Sequence, residues 1–147
     1  MMFVEQMLSR ASERLAVVDA AASVKDAACL MARPDTDLVV VCREGAVTGV
    51  VTKTDIVAHI SRDPAADLSA PIDTVMRRDV TTCRSSDALA DVMQIMKARG
   101  HHRVPIVDDN RGPVGIVYAR DALQCLLEEV EIDDNLLRDF ITGVGYR

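Results

Sequence analysis

Apolar positions along the chain follow two periods, and the whole pattern occurs twice. Val24, Ala27, Ala28 and Met31 fall at i, i+3, i+4 and i+7, which lays one apolar stripe along a helix. Ser23 followed by Asp26 is a capping-box start for that helix. Leu89, Val92, Met93 and Met96 show the same spacing 65 residues on, with Ser85 or Ser86 as the expected N-cap and Gly100 as the C-cap. After each helix comes a short run dense in β-branched residues, Leu38-Val39-Val40-Val41 and Val104-Pro105-Ile106-Val107, which predicts a buried strand. Polar turns carrying Gly45 and Gly112 follow, then second strands at 47–51 and 114–118. Each half closes with a helix opening near an aspartate, Asp55 or Asp121, 66 positions apart. The entries match as well: Val4-Glu5-Gln6-Met7-Leu8 and Ile72-Asp73-Thr74-Val75-Met76.

The repeat predicts an α+β (α/β) architecture of two β-α-β-β-α motifs related by a pseudo-twofold axis. The expected boundaries are 1–62 for the first motif, 63–71 for a linker, 72–127 for the second motif and 128–147 for a C-terminal helical extension. A unit of about 60 residues is marginal alone, so the copies are expected to pack as one module with ligand-sized clefts between them.

At the exit of its second strand the first copy reads Gly49-Val50-Val51-Thr52-Lys53-Thr54-Asp55. Glycine in a strand permits close approach of another group to the backbone, here expected to be a ligand. A threonine hydroxyl at the strand end suits a phosphate or a sugar. An aspartate at the next helix start can accept both hydroxyls of a ribose. Alone, such an aspartate equally suits a helix N-terminus, where it complements the dipole. The second copy reads Gly115-Ile116-Val117-Tyr118-Ala119-Arg120-Asp121, with tyrosine in place of the hydroxyl residue.

This heptad, repeated after matching helices and strands from about residue 4 to 127, resembles a tandem pair of cystathionine-β-synthase (CBS) domains, a Bateman module. The resemblance implies a nucleotide cleft between the copies, built from Val50, Thr52, Thr54 and Asp55 of the first. The second would contribute the backbone of Val80 and Thr81 to adenine, with His102, Arg103 and Pro105, and Arg120 reaching the phosphate. A planar guanidinium suits phosphate oxygens, which supports the role of Arg103. Read without the resemblance, His101, His102 and Arg103 also suit a solvated loop. A mirror-image site keeps Asp121 but carries Tyr118, and Asp37 stands where Arg103 stands in the other copy, so that second site is expected to be weak, empty or tuned to a less charged adenosine moiety such as a dinucleotide tail or a sulfonium ligand.

Composition narrows the function. The 147 residues include 23 acids against 17 bases, a net charge of −6, which speaks against general nucleic-acid binding. Two tyrosines, two phenylalanines and no tryptophan leave no base-stacking platform. Cys29, Cys42, Cys83 and Cys125 are too far apart for a zinc or redox motif, so reduced thiols and a cytoplasmic setting are expected. The N-terminus does not read as a secretory signal, and no apolar run reaches the ~20 residues that span a bilayer, so no membrane role is expected. The methionines read as core filler.

No nucleophile–base set, phosphate-cradling loop or metal cluster emerges, so no enzyme and no catalytic cofactor are expected. The reading is a ligand-sensing regulatory module for an adenosine nucleotide, with AMP first and ADP, ATP, NAD(H) or S-adenosylmethionine as further ligands. A homodimer is expected, signalling in trans to a regulated protein, since no catalytic or transport domain is attached. The alternative is a dimeric interaction or scaffold protein with vestigial sites. In the acidic tail, Ile132, Leu136 or Leu137, and Phe140 have helical spacing, read as a capping helix or arm, with partner binding as the alternative.

Overall fold

The computed structural model describes residues 1–62, 65 and 67–142. Its first half holds a three-stranded sheet in the order β1 (Val17–Asp19), β2 (Leu38–Arg43), β3 (Ala46–Thr52), with β1 parallel and β3 antiparallel to the central strand. Helix α2 (Val24–Met31) connects β1 to β2, and α3 (Lys53–Arg62) leaves β3. The second half repeats the hairpin as β4 (Arg103–Val107) and β5 (Pro113–Tyr118), preceded by α4 (Leu89–Arg99) and followed by α5 (Ala119–Thr142). This is the α+β arrangement that the repeat predicts.

Local chemistry accounts for most element ends. Ser23 and Asp26 form the expected capping box on α2, each side chain bonding the other's amide at 3.0–3.1 Å. Gly100 closes α4 in the left-handed conformation at φ 68°, which only glycine adopts freely. The start of α4 differs from expectation: Ala88, not Ser85 or Ser86, is the N-cap. Asp87 diverts that stretch into a turn by accepting from the Arg84 amide at 2.8 Å, and Phe3 bridges Ala88.

The strand β2 reads as an unbroken apolar run because both its faces are covered. Val39 and Val41 face a core shared with α2, while Leu38, Val40 and Cys42 face Val107, Ile116 and Tyr118 of the other half. That second contact is the seam of the pseudo-twofold.

The entry segments are exchanged between the halves. A short helical turn, Val4–Met7, leads into α1 (Leu8–Glu13), and Val4, Met7 and Ala11 bury themselves with Leu89, Val92, Val104 and Val117 of the second half. Conversely Ile72 and Met76 pack in the first half with Val24, Met31 and Val51. Backbone bonds secure both crossings, from Val4 to Asp87 at 2.9 Å and from Ile72 to Ala22 at 2.7 Å. The glycines of the repeated heptad serve these crossings. A Cβ at Gly49 would lie 2.5 Å from Met76 Sδ, and one at Gly115 would lie 2.9 Å from the Ala11 backbone. Close approach is real at both, but the approaching group is the protein's own chain rather than a ligand.

Two further expectations are revised. The second half has no regular first strand; Cys83 alone makes a parallel bridge to Ile106, and 79–82 run irregularly beside the cleft described below. The helix starting at Ala119 continues through residue 127 to Thr142 as one element, so the acidic tail extends the last motif helix. Residues 143–147 lie outside those described. No described helix is long and apolar enough to cross a membrane.

Candidate functional site

Where β3 runs into α3, the first half faces residues 77–81 and 100–105 of the second across a cleft of about 600 Å³. Val50, Thr52 and Thr54 line it from one side. Val80, Thr81, His102, Arg103 and Pro105 line it from the other, joined by Leu38, Arg77, Arg78, Asp79, Gly100 and His101. The missing strand at 79–82 matters here, because it leaves the backbone around Val80 and Thr81 unpaired at the cleft wall. Arg99 holds Thr81 Oγ1 at 2.9 Å.

Asp55 does not line the cleft. Its Oδ2 accepts from the Thr52 amide at 2.9 Å while Thr52 Oγ1 accepts from the Asp55 amide at 3.2 Å, the same reciprocal box that starts α2. Its Oδ1 is bonded to Arg77 Nε at 2.8 Å. The helix-start role and the position beside Thr52 are thus one arrangement. Arg120 is also outside the cleft. Its guanidinium lies 3.4 Å from Asp35 and 5.2 Å from the Tyr118 ring, on the side of the mirror-image site, so it does not reach toward a phosphate here.

The mirror-image site is filled by the chain itself. Arg14 grips both oxygens of Asp121 at 2.9 Å and lies over the Tyr118 ring at 4.9 Å from its centroid. Tyr118 is buried; its hydroxyl accepts from the Asp37 amide and donates to the Asp35 carbonyl, both at 3.2 Å. Tyrosine in place of threonine removes the reciprocal helix cap, and Asp121 gives both oxygens to arginine instead. Hydrogen bonds from Arg14 hold the Asp121 carboxyl below the usual carboxylate range against the opposing effect of burial, and they raise the Arg14 guanidinium in turn. Sequence reasoning missed Arg14. The available signal was its position 66 residues before Val80, where the open cleft has a valine.

While its amide bonds Tyr118 in the filled site, the Asp37 carboxylate acts on the open cleft. It bonds Arg103 Nη2 at 3.1 Å and Lys53 Nζ at 3.2 Å. Burial pushes its carboxyl up, but the Lys53 hydrogen bond and the Arg103 charge outweigh this and leave it below the ordinary value. The four cysteines are free, and burial pushes the Cys83 thiol up to about 12.

Comparison with known proteins places this geometry. The model of the CBS domain matches residues 4–62 and again 72–128. An uncharacterized 17.7 kDa protein of Acidianus ambivalens is 29% identical over 108 residues, covering 74% of this chain and 64% of that one. The CBS domain-containing protein YhcV of Bacillus subtilis is 29% identical over 108 residues, with 74% and 76% coverage. The match spans only 40% of a Methanocaldococcus jannaschii relative, MJ1225, so it accounts for part of such proteins. Among solved structures, the CBS-domain protein ATU1752 of Agrobacterium tumefaciens superposes with a TM-score of 0.72 at 25% identity, covering 84% of this chain and 98% of that one. The CBS domain pair of MJ0100, solved with 5′-methylthioadenosine and S-adenosyl-L-methionine, has the same fold with a TM-score of 0.75 at 22% identity and 88% and 98% coverage.

Proposed function

The chain belongs to the CBS domain family, and from that premise we propose that it is a regulatory module that holds an adenosine nucleotide, AMP first among them, in the cleft between its two motifs. The observation that carries this reading is the composition of one cleft wall by each half: Thr52 and Thr54 at a helix start on one side, Val80, Thr81, His102 and Arg103 on the other. Its volume of about 600 Å³ falls in the ordinary range for small-molecule sites. The adenosine compounds bound by MJ0100 support the ligand class.

In this reading the free backbone at Val80 and Thr81 meets adenine, and His102 and Arg103 meet the phosphate. Asp55, behind the wall, fixes Thr52 and Arg77 against the ligand. Binding couples to signalling only if two packings of the halves, or of two chains, differ in affinity for the ligand. A homodimer supplies such packings. Val57 on α3 and Leu123 on α5 are equivalent positions 66 apart, and both are more than half exposed, at 63% and 51%. Leu127 and Val130 continue the α5 stripe, and a second copy of the same surface is the partner we assign to it. The output then acts on another protein, with no reaction catalysed here.

The test is a thermal-shift panel on nucleotide-stripped protein with AMP, ADP, ATP, NAD(H), S-adenosylmethionine and GTP. At a hundredfold excess over Kd an adenosine ligand adds about 2.7 kcal/mol, on the order of 6–10 °C. Thr54→Phe, at an exposed cleft position, removes the shift. No shift with any adenosine compound overturns the reading in favour of an interaction scaffold, a reading that the filled mirror-image site favours for that half alone.

A further inference from the structure

Asp37 and Arg103 are equivalent positions, 66 apart, and they bond to each other at 3.1 Å. Equivalent positions that lie beside a twofold axis face each other across it. Here it sets a carboxylate against the guanidinium that lines the open cleft, and the other carboxylate oxygen takes Lys53 at 3.2 Å. Arg77, also in the cleft wall, is likewise held from behind, by Asp55. Two of the three arginines in the cleft wall, Arg103 and Arg77, are therefore matched by carboxylates before any ligand arrives, while Arg78 bonds only the Asp73 carbonyl among the described residues. Arg103 keeps one donor unmet: its Nε is buried without a partner among the described residues.

We propose that Asp37 is a specificity-determining residue of the cleft. By holding Arg103 and Lys53 it limits the negative charge the cleft accepts, and so selects adenosine ligands with one phosphate over polyphosphates. The inference rests on the adenosine reading of the cleft. Asp37 is a positioning residue, absent from the cleft wall itself and acting through Arg103. One phosphate takes the Arg103 N–H groups that Asp37 leaves open, while each further phosphate adds negative charge to a cleft in which Asp37 and Asp55 already offset Arg103, Lys53 and Arg77.

Isothermal titration with AMP and with ATP, in chelator and at low ionic strength, tests this on the wild type and three variants. The wild type prefers AMP. Asp37→Asn reduces that preference about tenfold by strengthening ATP more than AMP. Asp37→Glu restores it. Lys53→Met, at a half-exposed position that leaves folding intact, widens the preference and decides the matter if Asp37→Asn fails to fold. A wild type that prefers ATP, or an AMP-to-ATP ratio unmoved by the variants that fold, overturns the inference while leaving the adenosine reading standing. Absence of binding by either nucleotide to any of the proteins overturns the inference, and the thermal-shift panel with NAD(H) and S-adenosylmethionine decides the adenosine reading separately.

Discussion

Arg14 closes on Asp121 through two hydrogen bonds of 2.9 Å, and this pair fills the place that the other half leaves open as a cleft. The two residues are 107 positions apart, yet the exchange of entry segments delivers α1, and Arg14 at its end, onto the second half. In the first half the corresponding carboxylate, Asp55, shares itself between a helix cap and Arg77. Tyrosine in place of threonine, and Arg14 where the open cleft has Val80, separate the two outcomes.

Removing Arg14 strands Asp121, which is nearly buried. Arg14→Ala is expected to cost about 2–3 kcal/mol in urea unfolding at pH 7, below the full cost of a buried pair because the Arg14 side chain stays 21% exposed. The sign with pH follows from the depressed Asp121 pKa. Its contribution is complete above the unfolded value of about 3.9 and fades as pH falls through the lower folded value. The gap between wild type and Arg14→Ala therefore narrows in acid, down to the part that comes from Arg14 stacking on Tyr118, and a gap that does not narrow as pH falls contradicts the assignment.

The glycines at 49 and 115 should respond differently to alanine. At Gly49 the nearest contact is the flexible end of Met76, at Gly115 it is the backbone of Ala11. Each substitution is expected to cost about 1–3 kcal/mol, with Gly115→Ala the larger. Adding Met76→Ala should recover part of the packing strain of Gly49→Ala in a double-mutant cycle, although the Arg77 carbonyl, 2.9 Å away, keeps the recovery incomplete.

Thiol reactivity should follow burial. Cys29 is exposed, whereas the buried Cys83 thiol has a pKa of about 12 and almost no thiolate at neutral pH. A thiol-reactive dye is expected to label Cys29 first in the native protein and Cys83 only after denaturation, as read by peptide mass mapping.

The exposed stripe on α5 is the proposed contact between two copies. Leu127→Glu at that half-exposed position should shift the mass measured by light scattering from dimer to monomer with the melting temperature little changed. A monomeric wild type, or a dimer indifferent to Leu127→Glu, places the contact elsewhere.

Much of this was legible along the chain. The stripes at Val24–Met31 and Leu89–Met96, the valine run of β2 and the caps at Ser23 and Gly100 are set by neighbours within about four positions, and local sequence carries that information, whereas the start of α4 at Ala88 depends on the distant Phe3. The 66-residue repeat carried the pairing of the halves, and with it most of the cleft wall from Val50 to Pro105. Two glycines were recognised as sites of close approach, but not what approaches them, because Met76 and Ala11 arrive from opposite ends of the fold.

The sequence by itself determined the elements, their doubling and which residue types could face a nucleotide. Only the tertiary structure decided that the entry segments cross between halves, that Arg14 occupies one site, and that Asp37 reins in Arg103 of the other. The reason is physical. Periodicity and capping depend on contacts a few residues apart, whereas Arg14–Asp121 and Asp37–Arg103 depend on where distant backbones bring opposite charges, and that is settled only when the apolar seam between the halves has packed.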